Sequence, residues 1–148
     1  MLRRVAIAAL SVAAFLAADA TAQAKVFRGE TAQGRRASVV VGTDNLLRNF
    51  RINWRARCRY GSMREKTSFT RPHDQTAPDA FLDAGVYRVR VEGYRLRVRG
   101  RVTGRRLGQG ARERWRGTFR AQVLVTRRGR YVDTCRVRGL RWSARLVR

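Results

Sequence analysis

Residues 45–60, NLLRNFRINWRARCRY, decide the fold class. Leu46, Phe50, Ile52, Trp54, Ala56 and Cys58 share one parity, and Asn49, Arg51, Asn53, Arg55, Arg57 and Arg59 share the other. Side chains alternate faces along a strand, so this spacing predicts a strand with an apolar side and a cationic side. A helix at 3.6 residues per turn would scatter the same arginines through the apolar stripe.

The device recurs along the chain. Tyr87, Val89 and Val91 oppose Arg88 and Arg90, and Tyr94, Leu96, Val98, Gly100 and Val102 oppose Arg95, Arg97, Arg99 and Arg101. Trp115, Gly117, Phe119, Ala121, Val123 and Val125 make a further inward row, and Leu140, Trp142, Ala144 and Leu146 make the last. The phase slips between Val137 and Leu140, which predicts a bulge at Arg138-Gly139. Shorter strands are expected over 25–30, 36–42 and 63–70. Glu92-Gly93 and residues 127–130 carry turn chemistry. Thr103-Gly104 is expected to turn the chain as well, leaving 105–113 as an edge strand or a loop. Residues 71–85, RPHDQTAPDAFLDAG, hold both prolines and lack strand period, so they read as a long loop with one helical turn from Pro78 to Gly85. About eight strands with almost no helix give an all-β fold, an antiparallel sandwich or an up-and-down barrel.

An export address precedes this pattern. Met1 to Arg4 is a basic opening, Val5 to Ala18 an apolar run, and Ala22-Gln23-Ala24 a small-x-small cleavage site, so residues 1–24 read as a signal peptide and 25–148 as a single β domain. The run is shorter than the roughly 20 residues that span a bilayer. The expected location is secreted, periplasmic or at the cell envelope. Cys58 and Cys135 are then an even pair bound for an oxidising compartment, and a disulfide between them is expected. In the chain-entropy model such a closure contributes roughly 4–5 kcal/mol.

The net charge of the 148-residue chain is +24, and removal of Arg3, Arg4 and Asp19 leaves +23. Arginine outnumbers lysine thirty to two after that cut. High-GC coding explains the choice of arginine better than the excess of charge. Rows of arginine on neighbouring strands about 4.8 Å apart repel by roughly 0.8 kcal/mol per exposed pair before screening, and a polyanion laid across them relieves that repulsion. The candidate contacts for an anionic envelope polymer or membrane surface are Arg51, Arg55, Arg57, Arg88, Arg90, Arg95, Arg97, Arg99 and Arg101.

Specific nucleic-acid reading is not expected. Phe50, Trp54, Tyr87, Tyr94, Trp115 and Phe119 fall on the parity opposite the arginines, away from any face on which bases would stack. Catalysis is not expected either. His73 is the only imidazole, both thiols are committed to the disulfide, and Asp74, Asp79 and Asp83 share one loop without the spacing of opposed carboxylates. Two cysteines and one histidine make no structural zinc site, and no cofactor is expected. A second functional reading makes the 71–85 loop the contact of a protein-interaction or inhibitor domain. Ligand and oligomeric state are not encoded in these patterns.

The export signal, the opening F-x-G-x-T-x-x-G-R at Phe27 to Arg35, a cysteine closing an arginine-alternating strand, and C-x4-L-x-W-S-A-R at Cys135 to Arg145 together resemble small exported β proteins of high-GC actinobacteria. The resemblance spans most of the mature chain. It implies a fold type and an export address, and carries over no catalytic residue.

Overall fold

The computed structural model describes residues 23–70 and 74–147. The segment expected to be an export signal, residues 1–24, lies outside the described residues apart from Gln23 and Ala24, as does His73. The fold is all-β: β1 (Lys25–Thr31), β2 (Arg36–Val41), β3 (Leu47–Cys58), β4 (Gly61–Thr70), the four-residue β5 (Asp74–Ala77), β6 (Ala80–Val91), β7 (Tyr94–Leu107), β8 (Arg114–Arg127) and β9 (Arg130–Leu146). A 3-10 turn at Gly110–Arg112 lies between β7 and β8.

The strands form one antiparallel sheet in the order β4-β3-β2-β1-β9-β8-β7-β6-β5. Every strand therefore pairs with its neighbour in sequence except β4 with β5, and the first strand pairs with the last. That is an up-and-down barrel with its seam between β4 and the β5–β6 hairpin. Side chains bridge the seam. Trp54 Nε1 donates to Thr67 Oγ1 at 2.8 Å, and Thr67 Oγ1 shares a 2.8 Å hydrogen bond with the Tyr87 hydroxyl, linking β3, β4 and β6. Burial pushes the Tyr87 hydroxyl above its ordinary pKa, the Thr67 hydrogen bond opposing and Glu65 adding. Lower on the seam, the Leu47 amide donates to Gln75 Oε1 at 3.2 Å.

Strand β9 has two partners on the side away from β8. Its C-terminal half pairs with β1 from Thr31↔Trp142 to Phe27↔Leu146, and its N-terminal half meets β3 at Arg57↔Arg136. The short β1–β2 hairpin is thus a wedge between two long strands that converge beyond its tip. Gln33 in that tip fastens both sides of Arg55, its Nε2 donating to the carbonyl and its Oε1 accepting the amide. Just past the convergence Cys58 and Cys135 form a disulfide across 77 residues of chain. Beside it Asp133, buried, accepts from the amides of Arg59, Tyr60 and Thr134. Burial alone would raise the Asp133 pKa, but these three donors and the Arg59 charge hold it below the ordinary carboxylate value.

The inward parity fills one core. Trp54 meets Phe119 across the barrel with ring centroids 5.6 Å apart, and Phe50 lies 5.8 Å from Phe81 and 4.7 Å from Trp142. Glycines make this curvature and packing feasible. A Cβ on Gly117 would sit 1.8 Å from the Thr103 carbonyl oxygen, and one on Gly104 would sit 2.1 Å from the Phe81 ring.

Four sequence-derived expectations are corrected. Over its described part, 74–85, the segment 71–85 is not a loop with a helical turn: 74–77 are β5, and 80–85 open β6 with Phe81 buried, because Phe81 and Gly85 continue the inward parity of Tyr87. Thr103-Gly104 is no turn but the middle of a β7 that runs to Leu107, its glycine serving the Phe81 ring. Leu47, not Leu46, is the buried leucine at the start of β3, since a register shift between Val40 and Val41 sets Val41 opposite Leu47. Val91 is exposed because β6 ends there beyond the core. The bulge at Arg138-Gly139 is present: Phe119 pairs Leu140, Ala121 pairs Val137, and Gly139 has φ 55°.

Three outcomes test this packing. The double variant Cys58→Ala/Cys135→Ala should lose roughly 2–5 kcal/mol in chemical denaturation, matching the effect of reductant on the parent. Thr67→Val, which leaves the Trp54 N–H and Tyr87 O–H unpaired, should cost about 1–3 kcal/mol in the same assay. For Asp133, whose pKa is lowered on folding, the carboxylate stabilises the fold above the ordinary aspartate pKa, and the contribution disappears as pH falls through the lower folded value. Asp133→Asn should therefore melt below the parent at neutral pH, with the gap closing only in strong acid; a constant gap would refute the assignment.

A candidate anion-binding groove on the outer wall

All nine arginines singled out from the sequence are exposed, but they do not form one patch. The barrel wall sorts them into three sets. Arg51 lies over β1–β4 in a depression shared with Arg28, Arg36, Lys66 and Glu30, so one carboxylate already offsets part of that charge. Arg88, Arg90, Arg95 and Arg97 form two directly opposed pairs on the β6–β7 hairpin, Arg88↔Arg97 and Arg90↔Arg95. Arg55, Arg57, Arg99 and Arg101 converge from opposite sides on β9.

The convergence is a consequence of the bulge. Two β9 residues, Arg138 and Gly139, oppose the single Arg120 of β8, and both point outward before the inward row resumes at Leu140. The bend opens a groove of about 560 Å³ on the outer wall, into which Arg99, Arg101, Arg120, Arg136 and Arg138 project. A second depression of about 360 Å³ continues it across the β3–β9 junction, adding Gln33, Arg55 and Arg57 while sharing Arg136 and Arg138. On the other side a third of about 410 Å³ extends along Arg101, Thr103, Thr118 and Arg120. Seven arginines and no acidic residue line this continuous track.

Within the track like charges face each other at adjacent-strand spacing. Arg101 is opposite Arg120, and Arg57 is opposite Arg136. Each such pair costs roughly 0.8 kcal/mol in water, reduced by salt but not matched by any ion pair along the track among the described residues. A guanidinium presents a planar fork of donors suited to the paired oxygens of phosphate or carboxylate. The arrangement is chemically suited to holding an extended polyanion by several bidentate contacts.

Arg120, Arg136 and Arg138 were not among the residues chosen from the sequence. Their outward parity was legible, since each alternates with an apolar neighbour, but their strands carry fewer arginines in a row. What joins them to Arg57 is the β3–β9 pairing, which alternation along a strand does not reveal. The carboxylates expected to share one loop lie instead on the β5–β6 hairpin: Asp74 opens β5, Asp79 is in the turn, where its carbonyl accepts the Arg106 amide at 2.6 Å, and Asp83 is in β6. The six aromatics expected inside do lie on the inner parity, with Phe50, Trp54, Trp115 and Phe119 buried and Tyr87 and Tyr94 half-buried.

No protein-family model, no curated protein and no solved structure matches the chain.

Proposed function

We propose that this protein is an exported, non-catalytic binder of an anionic cell-envelope polymer, held in the arginine groove over β7, β8, β9 and the end of β3. The observation that carries the reading is the acid-free track of seven arginines centred on the β9 bulge. Charge repulsion within the track is relieved when phosphate or carboxylate groups of a polymer enter it, and a repeating anion engages several arginines at once. The disulfide fits an oxidising destination, in keeping with the export signal read in residues 1–24. The one aromatic residue along the track, Phe119, is buried in the core, so base stacking has no platform there and the ligand is read by charge alone. The alternative contact through residues 71–85 is less well supported, because two strands absorb much of that segment.

The test is retention on purified envelope polymer across a salt series. The triple variant Arg120→Ser/Arg136→Ser/Arg138→Ser should lose about tenfold or more in affinity, equivalent to about 1.4 kcal/mol, and show a shallower salt dependence. Arg88→Ser/Arg90→Ser/Arg95→Ser removes the same charge outside the groove and should retain most of the binding. Equal losses in the two variants would assign retention to net charge and overturn the groove.

A further inference from the structure

The two ends of the barrel differ. At the end where β1 begins and β9 finishes, Glu113 is buried and ion-paired to Lys25 at 2.8 Å and Arg106 at 3.4 Å, and the 3-10 turn packs beside it. Among the described residues the other end is left uncovered. There the tips of the β3–β4, β6–β7 and β8–β9 hairpins surround a cup of about 450 Å³. The Cys58–Cys135 disulfide lines it together with Met63, Leu96 and Val125, each half-buried against the core.

The rim combines exposed apolar side chains with charged groups. Tyr60, Val91 and Val132 stand exposed around the opening, Tyr60 at 76%. Arg59 lies 5.4 Å over the Tyr60 ring and Arg127 lies 5.2 Å over that of Tyr94, which keeps both guanidiniums at the lip. Arg64 lines the cup itself, and Arg128 and Arg130 occupy the neighbouring tip. Three carboxylates are close. Asp133, Glu65 and Glu92 all line the cup and keep their charge, the first two also accepting backbone amides. Against these three carboxylates stand five arginines, Arg59, Arg64, Arg127, Arg128 and Arg130, so the lip retains a cationic excess.

We infer that the open end of the barrel is a binding site for an amphiphile with a single alkyl chain and an anionic head. The chain enters the cup against Met63, Leu96, Val125 and the disulfide, and the carboxylate or phosphate head stays at the lip among the guanidiniums. The volume falls within the range of ligand sites, toward its lower end, and suits one chain rather than two. Barrel mouths are a recurrent place for such sites. This inference is independent of the outer groove, whose arginines lie on the opposite face of the same wall.

The experiment titrates the intact mature protein with free fatty acids from hexanoate to dodecanoate, below their micelle concentrations, by calorimetry. Each added methylene should strengthen binding roughly three- to fourfold until the cup is full, after which affinity levels off. Leu96→Trp, or Met63→Trp if the first does not fold, should move that plateau to shorter chains and weaken decanoate at least tenfold. The groove variant Arg120→Ser/Arg136→Ser/Arg138→Ser should bind decanoate as the parent does. A parallel arm with phosphatidylglycerol vesicles separates the sources: weakening by Leu96→Trp there as well assigns the chain to a bilayer lipid, and weakening with free decanoate alone assigns it to a soluble amphiphile. Affinity independent of chain length, or decanoate binding untouched by the filled cup, would overturn the inference.

Discussion

The junction of β3 with β9 is the constraint on which the rest of this barrel depends. An up-and-down sheet whose first and last strands pair still needs something to fix its circumference, and here a wedge-shaped β1–β2 hairpin stops short so that two long strands meet above it. The meeting places Arg57 against Arg136, an unfavourable pairing of like charge, immediately before the covalent bond between Cys58 and Cys135. The bond and the Asp133 hydrogen bonds hold together what the surface charges push apart. One locus therefore determines part of the lining of the open cup on the inside and the crossing point of the arginine track on the outside.

The opposite seam is held differently. Between β4 and β6 there is no ladder among the described residues, and the Trp54–Thr67–Tyr87 chain of hydrogen bonds stands in for one. Buried polar groups that are fully paired define a geometry without adding a strand, and each loss of a partner exposes the desolvation cost of the others. A barrel closed by ladders on one side and by side chains on the other leaves β4 as an edge. Its outward face carries Arg64 and Lys66, charges that disfavour pairing with a second chain.

Much of the fold was legible because alternation is a local property. Phe50, Ile52 and Trp54 point inward because their neighbours Arg51, Asn53 and Arg55 cannot be buried unpaired, and no distant contact is needed to see it. The phase slip at Arg138-Gly139 was legible for the same reason. Legibility failed where a residue serves a distant partner. Gly104 reads as a turn and is instead a strand residue that yields its side-chain space to Phe81. The segment after Pro78 reads as a loop because its alternation is carried by alanine, aspartate and glycine, too weak a signal without the β7 ladder beside it. Leu46 and Leu47 are adjacent and equally apolar, and only the register with Val41 chooses between them.

By itself the sequence determined the all-β class, the segregation of arginine from aromatic residues, the pairing of the two cysteines and the position of one bulge, because each follows from side-chain period or from an even count of thiols. Tertiary structure alone decided that the strands close into a barrel with β9 between β8 and the β1–β3 wall. It also decided that Arg55, Arg57, Arg99 and Arg101 join Arg120, Arg136 and Arg138 in one groove while the remaining candidates stand apart, and that, among the described residues, one barrel end is plugged and the other open. The physical reason is that strand order and register are set by hydrogen bonds between segments far apart in sequence. No residue's own neighbours encode those bonds.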